Sequence, residues 1–209
     1  MSQQKKTTFF VGLTGYIGSG KSSVRMLMEA ASIPALDADE ATRHVLEHSG
    51  DIIKPLLDRF GSQVIRDGGI YRPFLSSIVF SDPQARKDLE AIVRPQILQL
   101  IQRWMRRVEG SGAPVAVIEA IDFSDAELSS QLDELWVVTC PREVRFHRLE
   151  GPGMNRQEAE RRLSSQRELV LPRHCPHVEI SNAGSVEDLQ QVVTEAIQQL
   201  RTRIAAREV

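Results

Sequence analysis

The sequence predicts an α/β fold in which a parallel, five-stranded sheet is flanked by helices. Three observations lead there. Four short apolar runs at 9–13 (FFVGL), 33–36 (IPAL), 115–118 (VAVI) and 135–138 (LWVV) are continuous rather than alternating, as strands covered on both faces are. Segments with helical spacing lie between them, the pattern of a sheet with helices on both sides. A weaker run at 178–181 (VEIS) supplies a fifth strand.

Among the helices, the last is the most regular. Leu189, Val192, Val193, Ala196, Ile197, Leu200 and Ile204 form one stripe, and Ser185 with Asp188 is a capping pair at its start. Residues 95–108 read similarly: Pro95 suits a first helical turn, and Ile97, Leu98, Ile101, Trp104, Met105 and Val108 form the apolar face. The stretch between the second and third strands is too long for one crossover helix, holds several helical segments and no strong strand, and contains the turn Asp67-Gly68-Gly69. It reads as a helical insert at about 41–112, with the core at about 8–40 and 113–207.

The chain has 209 residues, with 26 basic and 28 acidic side chains and a net charge of -2, an ordinary globular balance for one domain. Near-neutrality argues against a surface adapted to nucleic acid. Of the basic residues 21 are Arg and 5 are Lys, which favours planar, bidentate contacts to phosphate or carboxylate. The apolar run near the start is interrupted by Gly12 and Gly15 and does not read as a signal peptide, and no stretch approaches the roughly 18 to 20 apolar residues of a membrane span. Two cysteines, Cys140 and Cys175, set no disulfide framework, and the expectation is a cytoplasmic protein without membrane partners.

The chemistry is carried by Gly15-Tyr16-Ile17-Gly18-Ser19-Gly20-Lys21-Ser22, which fits G-x-x-x-x-G-K-[ST] between an apolar strand and a helix. Glycines let backbone N–H groups turn toward phosphate oxygens, and the helix N-terminus adds its positive end. Gly15, Ile17, Gly18, Ser19, Gly20, Lys21, Ser22 and Ser23 are thus candidate ATP-binding residues. Lys21 reaches the β- and γ-phosphates, and the Ser22 hydroxyl helps to hold Mg²⁺. This P-loop leaves open a small-molecule kinase, a GTPase switch and an ATPase or ATP-gated regulator. No N-K-x-D motif for reading guanine is present, and Asp58-Arg59-Phe60-Gly61 matches D-x-x-G without following a strand. A kinase acting on a small molecule fits best.

Asp37-Ala38-Asp39 follows the second strand, at the edge of the sheet where the P-loop lies. A carboxylate there can orient an acceptor hydroxyl or help to organise the metal; the alternative is a strand-end pair capping the next helix. Asp39 is the candidate for orientation and, with Ser22, for Mg²⁺.

The segment Val11-Gly12-Leu13-Thr14 leading into the P-loop, followed by Leu36-Asp37-Ala38-Asp39, resembles the dephospho-CoA kinase family. Phe60-Gly61, Asp67-Gly68 with Arg72, Leu75, Val79-Phe80-Ser81-Asp82, Leu89, Pro95, Arg148-Leu149, Gln166 and Ser181-Asn182-Ala183-Gly184 follow in the family's order, so the resemblance spans about residues 9–200. It implies a P-loop kinase fold with a substrate-binding insert and a short lid at about 148–167. It further implies transfer of the ATP γ-phosphoryl to the ribose 3′-hydroxyl of dephospho-CoA, the last step of coenzyme A synthesis. Arg148 takes a catalytic position in the lid; Asp37, Asp39 and Arg72 take the acceptor side. Several positions depart from the family: Tyr16 replaces a glycine, Arg94-Pro95 stands for a His-Pro pair, and Glu119-Ala120-Ile121-Asp122-Phe123 replaces a Pro-Leu-Leu segment. Pro176-His177 replaces a late Ala-Asp pair, and the Gly151-Pro152-Gly153 region stands where a lid arginine is usual. A relative with a different acceptor, or a weakly active ATP-binding regulator, is the alternative reading.

Residues 142–173 hold eight arginines, five glutamates and no lysine. Some arginines are expected over the nucleotide, with Arg156 a candidate for the missing lid arginine. Others, such as Arg161 and Arg162 beside Glu158, read as a solvated helix face. Glu119 ends the third strand, where it either organises a metal or meets solvent. His44 and His48, and the His174-Cys175-Pro176-His177 run, lack a complete zinc ligand set.

Overall fold

The computed structural model describes residues 8–150, 154–166 and 168–206. Chain contacts divide the protein into two compact units, one comprising the chain up to Asp37 and from Arg107 onward, the other Ala38–Arg106.

The first unit is built on β1 (Phe9–Gly15), which is buried along its whole length. After it come α1 (Lys21–Ala30) and β2 (Ala35–Asp37). From the far side of the chain the unit adds β5 (Val115–Glu119), β6 (Glu134–Thr139) and β7 (His177–Ser181). The order is β2-β5-β1-β6-β7 with every neighbour parallel. All five expected strands are present, and the continuous apolar runs are those of β1, β5 and β6 at its centre. The second strand begins later than expected because the Ile33 N–H still bonds to the Met28 carbonyl (3.0 Å) and Ser32 has φ 61°, so Ile33 closes α1. Chain reversal on opposite sides of β1 places a switch point at its carboxyl end, where open parallel sheets bind ligands.

Helices α6 (Ala126–Ser129), α7 (Arg142–Leu149), α8 (Arg156–Ser165) and α9 (Val186–Ala205) complete this unit. The capping pair of α9 forms in both directions: Asp188 N–H donates to Ser185 Oγ (3.1 Å), and Ser185 N–H donates to Asp188 Oδ2 (2.8 Å). Its expected stripe packs Leu189, Val193, Ile197 and Leu200 against Val11, Leu13, Trp136 and Ile180 of the sheet and against Val24 and Met28 of α1.

The second unit contains α2 (Ala38–His48), α3 (Ile53–Phe60), α4 (Arg72–Ser81) and most of α5 (Pro83–Gly110), around a core of Val45, Ile52, Leu56, Val64, Leu75 and Val93. Two features differ from the sequence expectation. Pro95 does not open a helix but lies inside α5. Leu89, Ile92 and Val93 extend the apolar stripe upstream of it and pack in the unit's core, which outweighs the hydrogen bond that proline cannot donate. A small antiparallel pair, β3 (Ile65–Arg66) with β4 (Gly69–Ile70), also appears where no strong strand is expected. Asp67 and Gly68 both have positive φ, 53° and 79°, as a two-residue type I′ hairpin demands, and Asp-Gly is a favoured pair for it.

The packing of α9 is testable. Leu200 is fully buried, so Leu200→Ala should destabilise the protein by about 3 kcal/mol, whereas exposed Gln199→Ala should stay within about 0.5 kcal/mol. Urea unfolding midpoints at constant slope measure both.

Candidate active site

The P-loop runs from the carboxyl end of β1 into the first turn of α1, whose leading N–H groups have no partner within the helix. Gly20 precedes that helix with φ 94°, a left-handed conformation costly for any residue with a β-carbon, and a β-carbon there would lie 2.1 Å from Asn182 Nδ2. The closeness has a purpose. Asn182 Nδ2 donates to the Ser19 carbonyl at 2.7 Å in a buried contact, while Arg148 Nη1 lies 3.4 Å from the same oxygen and Arg148 Nη2 donates to Asn182 Oδ1 at 3.1 Å. Lys21 Nζ folds back to the Gly15 carbonyl at 3.0 Å and lies 3.5 Å from that of Tyr16. Three carbonyls of the loop are thereby engaged by side-chain cations or an amide, an arrangement that favours N–H groups toward an anion.

Ser22 Oγ donates to Glu119 Oε1 at 3.0 Å. Glu119, at the end of β5, is nearly buried and also accepts from Arg25 Nε at 2.8 Å. Arg25 donates to Glu29 at 2.9 Å and lies 3.9 Å from Asp37 Oδ2. Burial works against its charge, but the hydrogen bond to Glu119 and the nearby carboxylates outweigh this and raise its pKa above the ordinary arginine value. Asp37 and Glu119 are register partners on adjacent strands, so Arg25 compensates two carboxylates at one edge of the sheet. The solvated-strand-end reading of Glu119 is therefore replaced by a buried ion pair.

These oxygens suit a hard cation. The Ser22 hydroxyl donates its hydrogen bond to Glu119 and keeps lone pairs for a metal, while among the described residues no three His, Cys, Asp or Glu side chains cluster to cage one. That donor set fits Mg²⁺ held mainly by phosphate and water. Beside the loop, a cavity of about 440 Å³ is lined by Gly20, Ser23, Leu27, Arg148, Asn182 and Ser185.

Asp39 sits in the first turn of α2 and Arg72 opens α4, where its Nη1 donates to Glu47 at 3.2 Å; both belong to the second unit. Ile17 N–H donates outward to Gln166 Oε1 at 2.7 Å, and its side chain packs with Phe146, Ala159 and Leu163. Arg156 lies over the Phe146 ring at 5.0 Å and 3.9 Å from Glu150, whereas Arg161 and Arg162 pair with Glu158. Gly151-Pro152-Gly153 lies outside the described residues. Sequence reasoning missed Arg25, whose only local signal is its place one turn after Ser22, and gave Asn182 no role beyond the family pattern.

A parallel sheet of this order, with the loop between β1 and α1, defines a P-loop nucleotide-binding protein of the kinase type. The dephospho-CoA kinase family model matches residues 9–188. The dephospho-CoA kinase of Frankia casuarinae is 39% identical over 196 residues, covering 93% of this chain and 85% of that protein. That of Geobacter sulfurreducens is 36% identical over 187 residues, covering 88% and 95%. A crystal structure of a Thermus thermophilus protein superposes with TM-score 0.74 at 28% identity, over 93% of this chain and 99% of that one. The fold is shared also with a dephospho-CoA kinase from Campylobacter jejuni, TM-score 0.64 at 20% identity, over 94% and 98%. The chain belongs to the dephospho-CoA kinase family.

The approach of Asn182 to the loop can be measured against a control. Gly112 has φ 74°, but nothing lies within 4 Å of the point a β-carbon would occupy, so Gly112→Ala should cost only the backbone term, about 1 kcal/mol. Gly20→Ala adds displacement of Asn182 from the Ser19 carbonyl and should cost about 2 kcal/mol or more by chemical unfolding.

Proposed function

We propose that this protein transfers the γ-phosphoryl group of ATP to the 3′-hydroxyl of the ribose of dephospho-CoA, the final step of coenzyme A biosynthesis. The observation that carries this reading is the complete phosphate loop, its carbonyls taken by Lys21, Asn182 and Arg148, in a chain that matches the family across both units.

On this reading the triphosphate lies against the N–H groups of Gly18, Gly20, Lys21 and Ser22, the Ser19 N–H being donated to the Tyr16 carbonyl, and the base enters the cavity beside Arg148 and Asn182. Lys21 leaves the Gly15 carbonyl to meet the β- and γ-oxygens, so its charge is held in reserve by weak acceptors until the nucleotide arrives. Ser22, oriented by Glu119, and Asp39 are the residues assigned to Mg²⁺, which when bound neutralises charge on the phosphate oxygens. Asp39 orients the acceptor hydroxyl, and because phosphoryl transfer is loose, that orientation contributes more than early proton removal. Asp37 and Arg72 serve the acceptor. The insert at about 41–112, most of which falls in the second compact unit, Ala38–Arg106, binds the acceptor, and the segment at about 148–167 acts as the lid.

We place the protein in the cytoplasm, the compartment that supplies ATP, where a chain with only two cysteines needs no disulfide framework. Among the described residues no helix is long and apolar enough to cross a membrane.

The experiment is an acceptor panel: Mg-ATP with dephospho-CoA, adenosine, nucleoside monophosphates or no acceptor, with products identified by mass. A new phosphate on dephospho-CoA is expected. Phosphate on another member of the panel establishes a different acceptor, and ADP without any acceptor an ATPase. Lys21→Ala should lower kcat/KM by about 10³-fold and Asp39→Asn lower kcat by about 10²-fold, both with unchanged unfolding midpoints. An Asp39→Asn rate within a few-fold of the parent refutes the role given to Asp39.

A further inference from the structure

Among the described residues, Ser19 Oγ and Arg145 Nε are the buried side-chain polar atoms without a hydrogen-bond partner. One lies in the phosphate loop and the other belongs to a residue packed upon it. The backbone and β-carbon of Arg145 come within 3.0–3.3 Å of where a Gly18 β-carbon would stand, and its guanidinium lies 4.9 Å over the ring of Tyr16. Arg145 and Arg148 are three residues apart on α7 and therefore share a face. They meet the loop at different points: Arg148 at the Ser19 carbonyl beside the cavity, Arg145 at Tyr16. The carbonyl of Tyr16 lies 3.5 Å from Lys21 Nζ, so the residue whose ring carries the Arg145 guanidinium also neighbours the lysine assigned to the terminal phosphates.

Other arginines of this region are engaged with carboxylates: Arg142 with Glu160, Arg156 with Glu150, and Arg161 and Arg162 with Glu158. Arg145 has an aromatic ring and no carboxylate in these ion pairs, whereas Arg156 has both the Phe146 ring and Glu150. The difference matters chemically. Stacking occupies the face of a guanidinium, whereas its N–H donors radiate in the plane and stay directed at any acceptor along the edge. A ring under an arginine thus fixes the plane of the fork without using its hydrogen bonds. A carboxylate partner would use both the charge and the donors.

We propose that Arg145, seated on Tyr16, is a phosphate-binding residue that grips the terminal phosphate of the bound nucleoside triphosphate, with Tyr16 as its positioning residue. This inference rests on the reading of the loop as an ATP site. It assigns a use to the ring that stands where the family has a glycine, and it places the second arginine of the site on α7 rather than at Arg156, whose guanidinium is held by Phe146 and Glu150.

The test compares equilibrium affinities of the full chain for ATP and ADP, since only ATP carries the phosphate in question. Arg145→Met should weaken ATP binding about tenfold or more and leave ADP within about threefold, the loss expected for a charge-assisted hydrogen bond. Tyr16→Phe should preserve both affinities, and Tyr16→Leu should weaken ATP selectively by about threefold. Adding Tyr16→Leu to Arg145→Met should cost nothing more. If Arg145→Met does not fold, Arg145→Gln keeps a planar end without the charge and replaces it. Equal losses for ATP and ADP would show that Arg145 merely packs the loop, and unchanged ATP affinity would show that it does not touch the ligand; either overturns the proposal. A parent chain that binds neither nucleotide overturns the ATP reading itself.

Discussion

The carbonyl of Ser19 is the point on which the site turns. A loop that presents N–H groups to an anion must turn carbonyls outward, and an outward carbonyl buried in protein requires a donor. Asn182 supplies it at 2.7 Å from 163 residues along the chain. That demand sets much else in the first unit. Gly20 has to lack a β-carbon to let Asn182 in. Asn182 continues the pairing of β7 with β6 through its N–H to the Thr139 carbonyl at 2.9 Å, and the capping box fixes the start of α9 three residues later. Strand register, helix start and phosphate loop are thus one coupled arrangement, and the apolar stripe of α9 on the sheet supplies the stability behind it.

A second coupling crosses the carboxyl edge of the sheet. Glu119 is buried, and a buried carboxylate is tolerated only where charge and hydrogen bonds compensate it. Arg25 does so from one turn beyond Ser22, leaving the other carboxylate oxygen for the Ser22 hydroxyl. The loop's first helical turn is therefore tied to β5 by a polar contact and to the sheet by Val24 and Met28 beneath it. Such a link holds the hydroxyl in one orientation, which an apolar contact at the same place would not.

Much of the first unit was legible because its signals are local. Continuous apolar runs marked β1, β5 and β6, Ser185 and Asp188 marked the start of α9, and the glycines with Lys21 and Ser22 marked the loop. Where local and tertiary preferences oppose each other, the sequence misled: Pro95 suggests a helix start, yet Leu89 and Val93 are buried and carry α5 back to Pro83. Ile33 is apolar enough for a strand but is spent on closing α1. The Arg25–Glu119 pair spans 94 residues and Arg148–Asn182 spans 34, and no periodicity records which arginine meets which partner across such distances. The family pattern placed Asn182 and Gln166 in order without stating what they bind.

The arginine excess acquires its physical meaning at α7 and α8. Among the described residues these helices share an apolar cluster of Phe146, Ala159 and Leu163, with Ile17 of the loop, Leu149 and Met154 packed against it. Arg148 and Arg145 tie α7 to the loop, and the ion pairs Arg142–Glu160 and Arg156–Glu150 are exposed to solvent, where they contribute little to stability because water and salt compete for them. Exposed ion pairs of this kind exchange readily with water, as segments that rearrange around ligands require. Ile17 joins this region to the loop twice, through its side chain and through its N–H to Gln166. Any shift of the loop on taking up phosphate therefore reaches α7 and α8 directly, and through α7 it reaches Arg148 and Arg145, the arginines that already meet the loop.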